Sequence, residues 1–393
     1  MKIIIKFQLV NYSLEMINIS LKMRVLNLFS SLAGFNTQRK LIVIESDDWG
    51  SIRMPSAKTY HLMLAKGMPV DKCRYNSYDT LADSEDLSML FEVLSSVKDR
   101  NGNPAKFTPL SLVANPDFDK IRASGFTEYH YELFTDTLKR YGGKHAGAFE
   151  LWQEGIGKGI FVPQLHGREH LNVYAWLKAL RDGSPEARLA FDNQMFGLNT
   201  DSMLNRKNLF MSAFEFDSED EFAAMPGIIE DGARIFEQLF GYKAIAFMAP
   251  CAIWSRRLEP SLKRSGLSTI QTGPVQYEPY SGSRGNSYRK SPRYTGLKSS
   301  GGLVYSMRNC SFEPSEPGNI DWVEKCLSEI SRAFLWRKPA IISSHRVNYI
   351  GNLVPENRER GIKELQNLLK RILQRWPDVE FMTSDEFIKL MRE

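Results

Sequence analysis

Seven short apolar runs, separated by longer amphipathic segments, constrain what this 393-residue chain can fold into. Each run has the length of a strand. They lie at 40–46, 106–114, 160–166, 208–216, 244–250, 267–272 and 340–345. Because the segments between them are mostly helix-like, successive strands must be joined by crossover connections. Such connections produce an α/β fold with a mostly parallel sheet, either open or closed into a barrel.

The intervening segments have the apolar periodicity of amphipathic helices. The predicted helices span 84–99, with Ser84 as N-cap, 127–140, 170–182, 219–240, 319–336 and 355–375. In the last of these, Ile362, Leu365 and Leu369 share one face with other aliphatic residues. The C-terminal residues 379–391 predict a short strand, a Thr or Ser cap and a closing helix.

Composition excludes several classes of protein. The net charge of +5 is modest, and the basic residues are widely spread, so no nucleic-acid partner is expected. Four cysteines lie far apart without a C-x-x-C pair, which argues against a zinc knuckle or a dense disulfide framework. These features, with 42% hydrophobic and 25% charged residues, are typical of a soluble globular protein.

The N-terminal region lacks the pattern of a signal peptide, since Lys6 interrupts its apolar run and no small-residue cleavage site follows. The longest uncharged stretch, Val25–Gln38, is too short and too polar for a transmembrane segment. We therefore predict a cytoplasmic protein. Residues 1–39 are predicted as a helical extension, in which an amphipathic helix at 20–35 is expected to pack on the main domain.

One stretch, 273–302, is rich in Gly, Ser, Pro and Tyr and also carries five basic residues. This composition predicts an insertion with little regular structure. It can either border an active site and hold an anionic or sugar-bearing substrate, or be a solvated loop. The sequence leaves both interpretations open.

Polar residues at the ends of predicted strands point to a metal site. Asp47 and Asp48 end the first strand, His166 ends the third, and His345 ends the seventh. In parallel α/β folds the carboxyl ends of the strands bind ligands, so these side chains are expected to meet.

His166 and His170 are four residues apart and can bind one cation from the same side of a turn or helix. Adjacent aspartates in a straight strand would face opposite ways, but a turn at Trp49–Gly50 would let Asp48 join the two imidazoles as the third ligand. Such a set leaves a zinc-like ion an open position for water, and Asp47 would lie beside that water.

These motifs resemble those of the NodB-homology polysaccharide deacetylases, and the closing FMTSDEF segment adds to the match. The resemblance implies a distorted (β/α)7 barrel over residues 40–393 and removal of acetyl groups from an amino sugar or polysaccharide. It also implies one divalent metal, Zn²⁺ or alternatively Co²⁺, Ni²⁺ or Mn²⁺, held by Asp48, His166 and His170. Asp47 would be the catalytic base and His345 the general acid.

The sequence departs from the family pattern at two motifs. Trp49 stands before Gly50 in the first motif, and Met248 replaces the arginine that orients the family's base. Arg168 and Arg346, each beside a site histidine, are the candidates to supply that positive charge. Trp49, Asn115 and Pro250 complete the predicted substrate-binding residues.

Three alternatives remain at this point. His166-Gly-Arg-Glu169-His170 also fits the H-x-x-E-H zinc-protease motif, which requires one continuous helix. A glycoside hydrolase would pair Asp47 with a second carboxylate such as Glu215. A carbohydrate-binding pseudoenzyme on the same barrel would bind sugar without releasing acetate.

Overall fold

The computed structural model describes residues 33–196, 210–282 and 288–393. The strands in these ranges are β1 (Lys40–Trp49), β2 (Thr108–Leu112), β3 (Ala114–Pro116), β4 (Tyr131–Leu133), β5 (Gln164–Gly167), β6 (Ala246–Met248), β7 (Thr269–Thr272), β8 (Val275–Glu278), β9 (Arg289–Pro292), β10 (Val304–Met307), β11 (Cys310–Ser311), β12 (Ala340–His345) and β13 (Val379–Met382). The helices are α1 (Ala57–Ala65), α2 (Arg74–Tyr78), α3 (Ser84–Ser95), α4 (Phe118–Ala123), α5 (Phe134–Tyr141), α6 (Ala148–Gly157), α7 (Val173–Arg181), α8 (Pro185–Asp192), α9 (Glu219–Phe240), α10 (Glu259–Arg264), α11 (Trp322–Leu335), α12 (Pro355–Arg375) and α13 (Ser384–Arg392). Within the described ranges, none of these helices has the length and apolarity that a bilayer crossing requires.

The main sheet is parallel throughout, in the order β10-β7-β6-β5-β2-β1-β12-β11, with β13 pairing to the start of β1. Its two edge strands, β10 and β11, are separated in the chain by Arg308 and Asn309 alone. The Arg308 N–H donates to Thr272 at the end of β7, and the Asn309 N–H donates to Ile341 of β12.

The segment 304–311 therefore pairs with β7 through its first half and with β12 through its second half. Because one short segment joins both edges, the sheet must curl into a barrel. The barrel has seven strand positions, formed by β1, β2, β5, β6, β7, β10–β11 and β12. The predicted distorted (β/α)7 architecture is confirmed.

One of the seven predicted strands is wrong. The described part of the 208–216 prediction, residues 210–216, forms turns. Its carbonyl groups accept hydrogen bonds from the loop before α7: the Asn172 N–H donates to Phe210, and the Asn172 side chain donates to Ser212 and Glu215. The seventh barrel position belongs to 304–311, which the sequence analysis left without a strand.

The other predicted ends of helices and strands either agree with the structure or differ from it for local reasons. The helices predicted at 219–240 and 355–375 and the strand at 340–345 are confirmed at their ends. The helix predicted at 127–140 begins only at Phe134, because residues 131–133 pair with β3. The first predicted helix is capped by Asp83 and not by Ser84, since the Asp83 carboxylate accepts from two amides of the first turn.

Two predicted segments have other outcomes. The N-terminal helix predicted at 20–35 lies almost entirely outside the described residues. The predicted insertion at 273–302 contains regular structure, because β8 and β9 pair as an antiparallel hairpin within it.

Strand β1 carries the residues that bring chemistry into the barrel. Leu41 and Val43 pack with Ile341 and Phe387, and strand alternation puts Glu45 and Asp47 on the same face as these residues. Asp48 departs from the alternation: its φ is +75°, and the register with β2 shifts between Ser46 and Trp49. The bend thus comes at Asp48, one residue before the predicted turn at Trp49–Gly50.

Gly50, directly after this bend, is required by both conformation and space. Its φ is +85°, and a Cβ here would overlap the carbonyl oxygen of Leu112. We expect Gly50→Ala to destabilise the fold by about 1–3 kcal/mol, measured by urea unfolding. Gly102→Ala is the matched control, because Gly102 has a similar φ of +80° but open space around it. Equal losses in the two variants would contradict a role for the close approach to Leu112.

Candidate metal centre and active site

A cavity of about 680 Å³ lies at the carboxyl ends of the barrel strands. Its lining includes the five residues that the sequence predicted for metal binding and catalysis: Asp47, Asp48, His166, His170 and His345. The bend in β1 and the parallel order of the strands are what bring these side chains together.

Asp48, His166 and His170 converge on one point. The Nε2 atoms of His170 and His166 lie 3.2 Å and 3.6 Å from Oδ1 of Asp48, and all three ligand atoms lie within 4.8 Å of one another. The three residues are almost fully buried. The structure thus places the three predicted ligands in one group that can hold a cation.

The ring nitrogens of His166 and His170 are also arranged as a metal site requires. His166 donates its Nδ1 hydrogen to the carbonyl oxygen of Met248 at 2.8 Å, which places the lone pair of the neutral ring on Nε2. That buried Nε2 has no hydrogen-bond partner within the described part of the chain. Burial lowers the pKa of His170 to about 4, so this imidazole is neutral at pH 7. One carboxylate and two imidazoles form a donor set that suits Zn²⁺.

Asp47 is held by an arginine that the sequence analysis did not identify. Arg308 donates to both oxygens of Asp47, at 2.7 Å and 2.6 Å, and donates through Nε to Glu45 at 2.8 Å. Burial alone would raise the pKa of Asp47, but the charge and hydrogen bonds of Arg308 outweigh it and hold this pKa below its ordinary value. Asp47 is therefore an oriented anion.

His345 faces Asp47 from the neighbouring strand. The two residues are register partners on β12 and β1, and Nε2 of His345 lies 3.7 Å from Oδ2 of Asp47. On its other side, Nδ1 of His345 bonds Glu313 at 2.6 Å. Burial would lower the pKa of His345, but Glu313 and then Asp47 outweigh it and raise this pKa to about 9. The imidazole is protonated at pH 7 and can donate a proton.

Arg308 and Glu313 are the residues that sequence reasoning missed. Both follow the apolar run 303–307, which is preceded by Gly301-Gly302 and so has the features of a strand. Applying the strand-end rule to this run would have pointed to Arg308.

The two arginines proposed from the sequence have other partners. Arg168 pairs with Glu169 at 2.6 Å and with Asp231 at 3.1 Å. Arg346 is fully buried and pairs with Asp79 at 2.9 Å. Among the described residues, the arginine that contacts Asp47 is Arg308, which corrects this part of the prediction.

The other predicted substrate-binding residues do not line the cavity. Trp49 lies in the core against Phe161, with ring centroids 5.0 Å apart. Asn115 supports the β1 turn, where it accepts from the Ile52 N–H and donates to the Gly50 carbonyl. Pro250 is buried beside the lining residue Cys251.

One short segment of the cavity wall is conformationally unusual. Cys251 and Ala252 both line the cavity and have φ values of +57° and +56°. Left-handed backbone is unfavourable for such residues and is found more often at functional sites. This strain supports a binding role for the wall that follows β6.

The geometry also bears on two alternatives. Residues 166–170 are not on a helix, and the carboxylate of Glu169 is paired with Arg168, so the continuous helix that H-x-x-E-H requires is absent here. Glu215 accepts a hydrogen bond from Tyr288 and lies outside the cavity lining. Asp47 and Glu215 therefore do not form a carboxylate pair across this cavity.

No protein-family model and no curated protein matches the chain. Polysaccharide deacetylases are among the solved structures that match. A protein from Mycobacterium smegmatis described as a polysaccharide deacetylase has 11% identity, a TM-score of 0.43, and coverage of 92% of this chain and 93% of its own.

Two further matches differ in activity. A CE4 family pseudoenzyme from Bacillus anthracis has 9% identity and a TM-score of 0.35, over 88% of this chain and 65% of its own. The 4-alpha-glucanotransferase from Thermococcus litoralis has 10% identity and a TM-score of 0.41, over 90% of this chain but only 40% of its own length. Because the sequence identities and TM-scores are this low, a function has to be argued from the site residues.

Proposed function

We propose that this protein is a metal-dependent hydrolase that removes acetyl groups from an amino sugar or a carbohydrate containing one. The observation that supports this most directly is the convergence of Asp48, His166 and His170 in the cavity where Asp47 and His345 face each other. An anionic carboxylate, a protonated imidazole and a cation site together suit hydrolysis of an amide.

The metal would be held by Oδ1 of Asp48 and the Nε2 atoms of His166 and His170. A divalent cation there supplies a Lewis acid for the acetyl carbonyl and makes water easier to deprotonate. The zinc assignment follows from the donor set, and Co²⁺, Ni²⁺ and Mn²⁺ remain candidates.

Asp47 and His345 divide the proton transfers. Asp47, kept anionic by Arg308, accepts a proton as the oxygen of water bonds to the acetyl carbon. His345, kept cationic by Glu313, donates its Nε2 proton to the amine nitrogen as the C–N bond breaks. The products are acetate and a free amine. Because the two side chains face each other across β1 and β12, one acetamido group can lie within reach of both.

The test is acetate release from N-acetylglucosamine and its oligomers. We expect the purified protein to release acetate, to lose this activity on chelation, and to regain it with Zn²⁺. The variant Asp48→Ala should lose metal and acetate release together, measured by elemental analysis and an acetate assay.

Two outcomes would contradict the proposal. Metal content that survives Asp48→Ala would remove the assignment of the cation site. Binding of metal and sugar without acetate release would instead identify a carbohydrate-binding pseudoenzyme.

A further inference from the structure

The two oxygens of the Asp48 carboxylate have different partners. Oδ1 faces the imidazoles of His166 and His170, whereas Oδ2 accepts a hydrogen bond from Nη2 of Arg53 at 3.0 Å. The side chains of Arg53 and Asp48 are only 6% and 4% exposed. The carboxylate is thus largely shielded from bulk water, and Oδ2 is bonded to Arg53.

Arg53 is itself fixed in place by buried neighbours. Its Nε lies 3.7 Å from Asp79, and Asp79 is held by Arg346 through two hydrogen bonds of 2.9 Å and 3.0 Å. The guanidinium also lies 5.3 Å from the ring centre of Tyr75, and its Nη1 contacts the sulfur of Met211 at 3.2 Å. Arg346, Asp79, Arg53 and Asp48 thus form a chain of alternating charge that ends at the cation site.

We infer that Arg53 determines which metal this site selects. Because Arg53 holds Oδ2, Asp48 would bind a cation through Oδ1 alone, and the protein would offer it one oxygen and two nitrogens. Three ligands of this kind suit tetrahedral Zn²⁺, whereas Mn²⁺ prefers more ligands and more oxygen. The inference rests on the metal site of the proposed function.

Removing Arg53 should change this preference in a defined direction. With Oδ2 released, Asp48 can bind through both oxygens, which raises the number of oxygen ligands. Mutation of a residue that bonds to a metal ligand commonly changes the metal affinity by about 10–100-fold. We expect the ratio of the Kd for Mn²⁺ to the Kd for Zn²⁺ to fall by about tenfold or more in Arg53→Met.

The experiment is calorimetric titration of metal-free protein with Zn²⁺ and with Mn²⁺. Arg53→Met removes one of the two cations that contact Asp79. The double variant Arg53→Met/Asp79→Asn is therefore prepared as well, because it keeps the summed charge of Arg346, residue 79, residue 53 and Asp48 unchanged. Arg74→Met is the matched control, since Arg74 also lies over Tyr75, at 4.8 Å, but pairs with Glu313 and Glu316. Co²⁺ absorption reports coordination geometry independently of activity.

We expect weaker Co²⁺ bands, as for a coordination number above four, and a smaller Kd ratio in the folded Arg53 variants, and no change in Arg74→Met. An unchanged ratio in a folded Arg53 variant would overturn this inference and leave the proposed function intact. A wild-type protein that binds no divalent metal would overturn both.

Discussion

Arg308→Met is expected to lower the free energy of unfolding by about 3–5 kcal/mol. The substitution leaves Asp47 and Glu45 in the barrel without the cation that bonds both of them. Glu45 is fully buried and Asp47 nearly so, and water from the cavity therefore replaces the lost hydrogen bonds only in part. Urea unfolding followed by circular dichroism measures the loss.

The same substitution should reduce kcat for acetate release by about 10²-fold or more, because Asp47 loses both contacts that orient it. Arg308→Lys keeps the charge but lacks the planar guanidinium that bonds Asp47 and Glu45 at the same time, and should give an intermediate effect on kcat.

Arg257→Met is the matched control for stability. Arg257 also bonds both oxygens of a carboxylate, Glu219, but this pair is exposed, and its loss should change stability by less than about 1 kcal/mol. Similar losses for Arg308→Met and Arg257→Met would contradict the role assigned to the buried pair.

The residues of the candidate cation site could be predicted because their signal is local. Asp48 ends an apolar strand, and His166 and His170 are close in sequence, so the strand-end rule and the histidine spacing were sufficient. The backbone conformation of Asp48 could not be predicted in the same way. Its positive φ accompanies the shifted register with β2, which is a tertiary feature.

The partner of Asp47 could not be found from spacing. Arg308 and Asp47 are 261 residues apart and meet only because segment 304–311 closes the barrel. The family motif has an arginine where this chain has Met248, which left Arg168 and Arg346 as the candidates. Both are beside site histidines in the sequence, but their guanidinium groups pair with other carboxylates.

The false strand at 208–216 shows a second limit. An apolar run of strand length is also produced by a buried turn, and Phe214 packs on Phe247 of β6 with ring centroids 5.8 Å apart. The described part of the run, residues 210–216, is buried, but its carbonyl groups bond the Asn172 side chain and not a neighbouring strand. Composition alone does not distinguish these two cases.

The second large effect is expected from loss of the proton donor, His345. His345→Gln should lower kcat for acetate release by about 10²–10⁴-fold while metal content is retained. The pKa of His345 lies near 9, above its ordinary value of 6.5, because of Glu313 and Asp47. In the wild-type protein, acetate release should therefore fall as pH rises through about 9, where the imidazole loses its proton.

The same shift links His345 to stability. A histidine whose pKa is raised on folding stabilises the native state fully below its unfolded pKa. This contribution should be present below about pH 6.5 and be lost as pH rises through about 9. Urea unfolding of the wild type and His345→Gln across this range measures the difference, which should shrink toward high pH.

Glu313→Gln tests the cause of the raised pKa. Without the Glu313 carboxylate, the pKa of His345 should fall, and the alkaline loss of kcat/KM should move to lower pH. Glu316→Gln is the matched control, because Glu316 also pairs with Arg74, at 3.1 Å, but the carboxylate bonded to His345 is that of Glu313. An NMR titration of the His345 ring provides a measurement independent of turnover. If the titration moves and the activity profile does not, His345 is not the proton donor.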